Sequence, residues 1–191
     1  GHIVYNRFVV QSLDQSTVIK SHDNAFYSSR DILVAEKWSA EKNLPGLGIT
    51  EDMAANAYTI VCPDTVTTLG LYLAGDTLCM VGMNTTATSF VAPSSVFIND
   101  KEYAVELFGK PKFDSFDWSG SQSVTSLDLS GVKNVNLLFG GSSVTDLYLS
   151  DNCSINSYGY LGDIYLHLPY GYLRSPYKDF NFKRILIGEE Q

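Results

Sequence analysis

The sequence predicts a mainly β fold with minor α content, a short parallel β-solenoid preceded by a mixed α/β segment, and three observations carry that prediction. A pattern V-T-x-L-x-L recurs along the chain. β-branched, aromatic and turn-forming residues dominate from Tyr58 onward. Helix signals are confined to the first third of the chain.

The first elements read as short strands and turns, with apolar Ile3-Val4 and Phe8-Val9-Val10 followed by a polar bend at Ser21-His22-Asp23-Asn24. Ser28 then precedes Asp31 by three, a capping-box spacing. The run Ile32-Leu33-Val34-Ala35-Glu36-Lys37-Trp38 continues to a stop at Leu44-Pro45-Gly46, so a helix is predicted here. A second, short helix is predicted where Thr50 precedes Glu51-Asp52-Met53-Ala54-Ala55, because both acids would lie in the first turn and complement the helix dipole. Residues 1–57 are therefore assigned to a mixed N-terminal segment and 58–191 to a β-rich region.

In the β-rich region the repeat is the informative feature. Val66-Thr67-Thr68-Leu69-Gly70-Leu71 recurs as Val124-Thr125-Ser126-Leu127-Asp128-Leu129 and as Val144-Thr145-Asp146-Leu147-Tyr148-Leu149, the last two copies 20 residues apart. A degenerate copy, Ile164-Tyr165-Leu166-His167-Leu168, places its leucines 19 residues further on, which is a leucine-rich-repeat period. In L-x-L the two leucines of a strand point to one face and the residue between them to the other. A single turn cannot bury its own apolar face, so stacking would make it stable and would align the intervening side chains in a column.

On this register Asp128, Tyr148 and His167 line up on an exposed sheet face beside Tyr165, and these four are the candidate ligand-binding residues. A slip of one residue would reverse the two faces. Ser130-Gly131 and Ser150-Asp151 supply corners after the strands. Residues 58 to 122 are expected to be irregular, apart from a hairpin turn at Asn99-Asp100 between Val96-Phe97-Ile98 and Tyr103-Ala104-Val105.

Composition bounds the partners. The chain has 191 residues, 45% of them hydrophobic and 18% charged, as expected of an ordered globule. A formal net charge of −8, with no basic cluster, would repel a phosphate backbone and argues against nucleic acid. No stretch approaches the ~20 apolar residues needed to cross a bilayer. The leading Gly1 without Met reads as a cleaved start, which leaves room for a secretion signal or lipid anchor upstream.

Candidate chemistry is sparse. Cys62, Cys79 and Cys153 form no C-x-x-C pair and have no nearby His to complete a zinc site. A Cys62–Cys79 disulfide stays open in an oxidising compartment, but an odd count makes no framework, and buried small hydrophobes are the preferred reading. His2, His22 and His167 lack metal-ligand spacing, so neither metal nor cofactor is expected. Gly141-Ser142-Ser143-Val144-Thr145 has Thr where a nucleophile elbow needs its second Gly, and Gly46-Leu47-Gly48 reads as a helix stop. Asp114, Asp117, Asp128, Asp146 and Asp151 read as a solvated acidic face. No catalytic residue is assigned.

Several segments resemble the BspA-like leucine-rich-repeat proteins of bacterial cell surfaces. Ile164-Tyr165-Leu166-His167-Leu168-Pro169-Tyr170-Gly171, with Tyr177-Lys178-Asp179-Phe180 and Phe182-Lys183-Arg184-Ile185, is similar to that family's closing turn. Phe90-Val91-Ala92-Pro93-Ser94-Ser95-Val96 through Val105 is similar to its entry hairpin, while the family's Gly-x-x-Ala-Phe corner is missing between Leu129 and Val144. The resemblance covers roughly the last half of the chain. It implies extracellular or cell-surface exposure and non-enzymatic, adhesion-type binding of a protein or host-surface ligand.

Tyrosines crowd the C-terminal region, and tyrosine suits both protein interfaces and stacking on sugar rings. Tyr158, Tyr160 and Tyr177 are expected to fill the interior or cap its end. A carbohydrate-binding module using exposed tyrosines and Trp118 is the second reading, and an enzyme of unrecognised type the third.

Overall fold

The computed structural model describes residues 32–170 and 177–188. The Ser28–Asp31 capping box, the strands expected before residue 28, His2, His22 and Tyr172 lie outside them. Among the described residues the only helices are two 3-10 turns, Ala40–Lys42 and Glu51–Asn56, and the rest is strand and loop.

Two sheets make up the fold. The first begins as an antiparallel meander of β1 (Glu36–Lys37), β2 (Ala57–Val61), β3 (Thr68–Ala74) and β4 (Thr77–Asn84). It continues in parallel through β7 (Lys101–Phe108), β9 (Asn134–Leu137) and β11 (Ser154–Tyr158), and β6 (Ser95–Ile98) pairs antiparallel with β7. The second sheet is wholly parallel, in the order β13 (Arg184–Ile187), β12 (Tyr165–Leu168), β10 (Asp146–Tyr148), β8 (Ser126–Asp128), β5 (Ser89–Val91). From β7 to β12, successive strands alternate between the two sheets.

The stretch predicted to be helical is extended instead. Leu33 is buried while Ile32 and Val34 are exposed, a period of two. Ala35 N–H donates to the Phe97 carbonyl and Phe97 N–H to the Leu33 carbonyl, each at 2.8 Å. β-branched Ile32 and Val34 fit this conformation, and the open edge of the β6–β7 hairpin outweighs local helix propensity. The second predicted helix exists as the 3-10 turn Glu51–Asn56 after Thr50, whose hydroxyl bonds the Asp52 side chain and not the backbone.

Residues 58 to 122 are more regular than expected. The Val66 copy of the repeat lies in β3, inside the antiparallel meander, and takes no part in the parallel sheet. A short hairpin through Gly75, at φ +64°, commits β3 to β4. The Asn99-Asp100 turn stands as expected: both residues have positive φ, 50° and 65°, the type I′ geometry that matches strand twist.

Gly46-Leu47-Gly48 is not a helix stop but a crossing. Leu47 is 1% exposed, and its backbone runs so close over β3 and β4 that a Cβ on Gly70 would lie 1.9 Å from the Leu47 carbonyl oxygen and one on Gly82 2.3 Å from the Leu47 carbonyl carbon. Met83 N–H donates to the Gly46 carbonyl at 2.8 Å and ties the crossing to β4.

The parallel sheet follows the repeat. Leu127, Leu147 and Leu166 are direct neighbours in register, extended by Phe90 on one side and Ile185 on the other. The three leucines are fully buried. The threonines build the corner: Thr125 N–H donates to the Thr88 carbonyl, Thr145 N–H to that of Thr125, and Tyr165 N–H to that of Thr145. The same core holds an aromatic chain, Phe108 stacked on Phe116 at 4.3 Å, then Trp118 at 4.7 Å from Phe116 and Phe139 at 5.1 Å from Trp118. Trp118 is buried and its indole N–H donates to the Leu138 carbonyl at 2.9 Å, so it offers no surface for stacking.

Candidate functional site

Of the four residues expected to form an exposed face, register brings three together, Asp128 beside Tyr148 and Tyr148 beside His167, with Tyr165 paired instead to Asp146, and those three are buried. Only 6%, 5% and 5% of Asp128, Tyr148 and His167 is accessible, and Tyr165 is half-buried. Exposure is therefore corrected. Part of the physical reason is lateral pairing, since adjacent strands set these side chains close enough to cover one another. The Tyr148 and His167 rings stack at 4.3 Å and 14°. His167 Nε2 is 2.8 Å from Asp146 Oδ1, while Asp128 Oδ1 accepts from the Ser130 N–H and hydroxyl. Lys183 Nζ sits 5.1 Å from the centre of the Tyr165 ring.

Burial works to raise the Asp146 carboxyl pKa. The hydrogen bond and charge of His167, helped by the Thr145 hydroxyl, outweigh it and hold the group below its ordinary 3.8. His167 Nδ1 is buried with no hydrogen-bond partner. This column is a tied polar layer, and its accessible area is too small for a ligand to lie across it.

The other acids mostly serve their own loops. Asp114 Oδ1 accepts from the Ser115 N–H, and Asp117 Oδ1 from the Ser119 N–H and hydroxyl. All three thiols are free and buried. Burial pushes Cys62 up to about 12, helped by the Asp64 charge, and pushes Cys79 to about 11 and Cys153 to about 12. None is a thiolate at neutral pH. Among the described residues, no group of three His, Cys, Asp or Glu is placed to hold a metal, and no helix is long and apolar enough to cross a membrane.

The tyrosines divide. Tyr177 is 1% exposed and donates its hydroxyl to the Ser150 and Cys153 carbonyls, at 2.9 and 3.2 Å, so it plugs the corner after β10. Tyr158 is largely exposed but rests edge-on against Phe180 at 4.8 Å. Tyr160, 74% exposed, neither fills the interior nor caps it.

Tyr160 lines an open groove of about 500 Å³ with a floor of Leu138, Phe139 and Ile164 and a rim that includes Ser142 and Asp163. Ser115 and Gly140 are shared with a second basin, about 390 Å³, bordered by Asp114, Asp117 and Gln122. The loops after β7, β9 and β11 supply the walls. Their positions are fixed from below: Ser115 Oγ donates to the Leu138 carbonyl at 3.2 Å and Gln122 Nε2 to that of Gly141. The signal in the sequence was the string Tyr158-Gly159-Tyr160-Leu161-Gly162, a tyrosine set between glycines, which tyrosine crowding alone did not single out. Compared with family models, curated proteins and solved structures, the chain matches none.

Proposed function

We propose that this chain is a non-enzymatic, adhesion-type interaction module of leucine-rich-repeat-like build that presents the Tyr160 groove to a ligand on a surface it meets. In this reading the alternating strands from β7 to β12 are successive turns of a short solenoid, and the loops at one corner stack into a continuous wall. The observation that carries it is the register column Leu127–Leu147–Leu166, which sets consecutive 20- and 19-residue units directly on one another. Stacked units give an extended surface built from equivalent loops, the usual way such architectures bind. The protonated, buried thiols and the burial of His167 favour presentation over nucleophilic chemistry. Extracellular or cell-surface placement rests on the resemblance of the closing segment to the BspA-like proteins.

The test uses fluorescently labelled protein on plates coated with epithelial extracellular matrix. Saturable binding is expected, weakened by the double substitution Tyr160→Ala, Asp163→Ala. Fresh protein should then rebind the eluted matrix to the same level. Binding indifferent to the double substitution would overturn the groove, and a matrix that loses capacity after exposure would overturn the non-enzymatic reading.

A further inference from the structure

We infer that the Tyr160 groove takes a neutral oligosaccharide, with one sugar ring stacked on Tyr160 and the chain continuing across Ser115 and Gly140 into the second basin. The inference rests on the reading of the groove as the interaction surface and names its ligand class.

It starts from Gly162. The backbone there lies outside the left-handed region, so chain geometry does not call for glycine. The neighbouring ring comes close instead: a Cβ at 162 would lie 2.4 Å from Tyr160 Oη and 2.6 Å from Cζ, and no other residue comes within the same distance. The tip of the Tyr160 ring therefore rests over the Gly162 backbone, and 74% of the residue stays exposed to water. The core gains little from a ring so exposed. An aromatic ring exposed at the edge of an open groove is what the C–H face of a pyranose needs.

The rim supplies the rest. Ser142 Oγ accepts from the Val144 N–H at 3.4 Å and keeps its own proton for donation. Asp163 is exposed and can accept from two adjacent hydroxyls. Asp114 and Asp117 each commit one carboxylate oxygen to the local turn, so the other can serve a ligand. Charge narrows the class: three carboxylates and one cation, Lys110, border the two basins of a protein carrying −8, which disfavours sulfated, uronic or sialylated chains. Both basins are open, whereas a peptide anchor needs a pocket that fully desolvates a side chain.

Titration calorimetry with hexasaccharides of glucose, mannose, galactose and N-acetylglucosamine, and with heparin as the anionic contrast, tests the inference. At least one neutral hexasaccharide should bind saturably and heparin should not. Tyr160→Ala should weaken binding by about tenfold, and Tyr160→Phe should keep it within about threefold, because stacking needs the ring and not the hydroxyl. Tyr160→Ala should leave the melting curve unchanged, which separates loss of the stacking ring from loss of the fold. If no neutral hexasaccharide saturates, the carbohydrate inference is overturned, while matrix binding that still requires Tyr160 would leave the groove standing. If a hexasaccharide binds Tyr160→Ala as well as the parent protein, both the groove and the inference fail.

Discussion

At the scale of single residues, one substitution has very different costs at different glycines. A methyl at Gly70 would meet the Leu47 carbonyl 1.9 Å away, and backbone cannot yield as a side-chain tip can. Gly70→Ala should therefore cost at least about 3 kcal/mol in urea unfolding, the upper end of what overpacking usually costs. Gly75 also has positive φ but has nothing within 4 Å of an added Cβ, so Gly75→Ala should cost only about 1 kcal/mol, the strain of the turn. Equal losses at the two sites would contradict the crossing.

Asp146 gives a pH signature. Its pKa is lower folded than unfolded, so the stability it adds is fully present above the ordinary 3.8 and is lost as pH falls through the lowered value. The stability difference between the parent protein and Asp146→Asn should therefore shrink as pH is taken from about 5 towards about 2, as read by denaturant unfolding. A difference that grows with acid would mean that the His167 pair does not favour the ionised carboxyl.

The elements follow the repeat where side-chain spacing alone decides, and depart from it where a neighbour decides. Leu127, Leu147 and Leu166 could be read from the sequence because L-x-L fixes both spacing and face, and the Asn99-Asp100 turn because few residues tolerate two positive φ values in succession. The segment Ile32–Trp38 could not. Its apolar run satisfies a helix period and a strand period alike, and the edge that captures it comes from Phe97, more than sixty positions away. Tyr160 and Gly162 were equally opaque, since the ring tip meets the glycine only in the folded chain. The stack makes its own prediction. Leu147→Ala, between two fully buried neighbours, should cost about 2–5 kcal/mol, and Ile185→Ala, half-buried on the strand at the sheet's edge, distinctly less. Similar losses at both would argue against a core built by stacking.

Across the whole molecule, the proposed function divides support by the sheets from presentation by the loops. The parallel sheet buries the leucines on one side and ties Asp128, Tyr148 and His167 into a covered layer on the other, and in the proposed reading the corner loops are the surface presented. The sequence pointed to the right column and the wrong exposure, because alternation assigns a face but does not say what the neighbouring side chains cover. The most direct test of this division is hydrogen–deuterium exchange of the protein bound to epithelial matrix against the free protein. Added protection is predicted in the loops at 114–119, 138–144 and 159–163, with Asp128, Tyr148 and His167 unchanged. Protection confined to the strands that carry those three residues, with the loops unaffected, would contradict it.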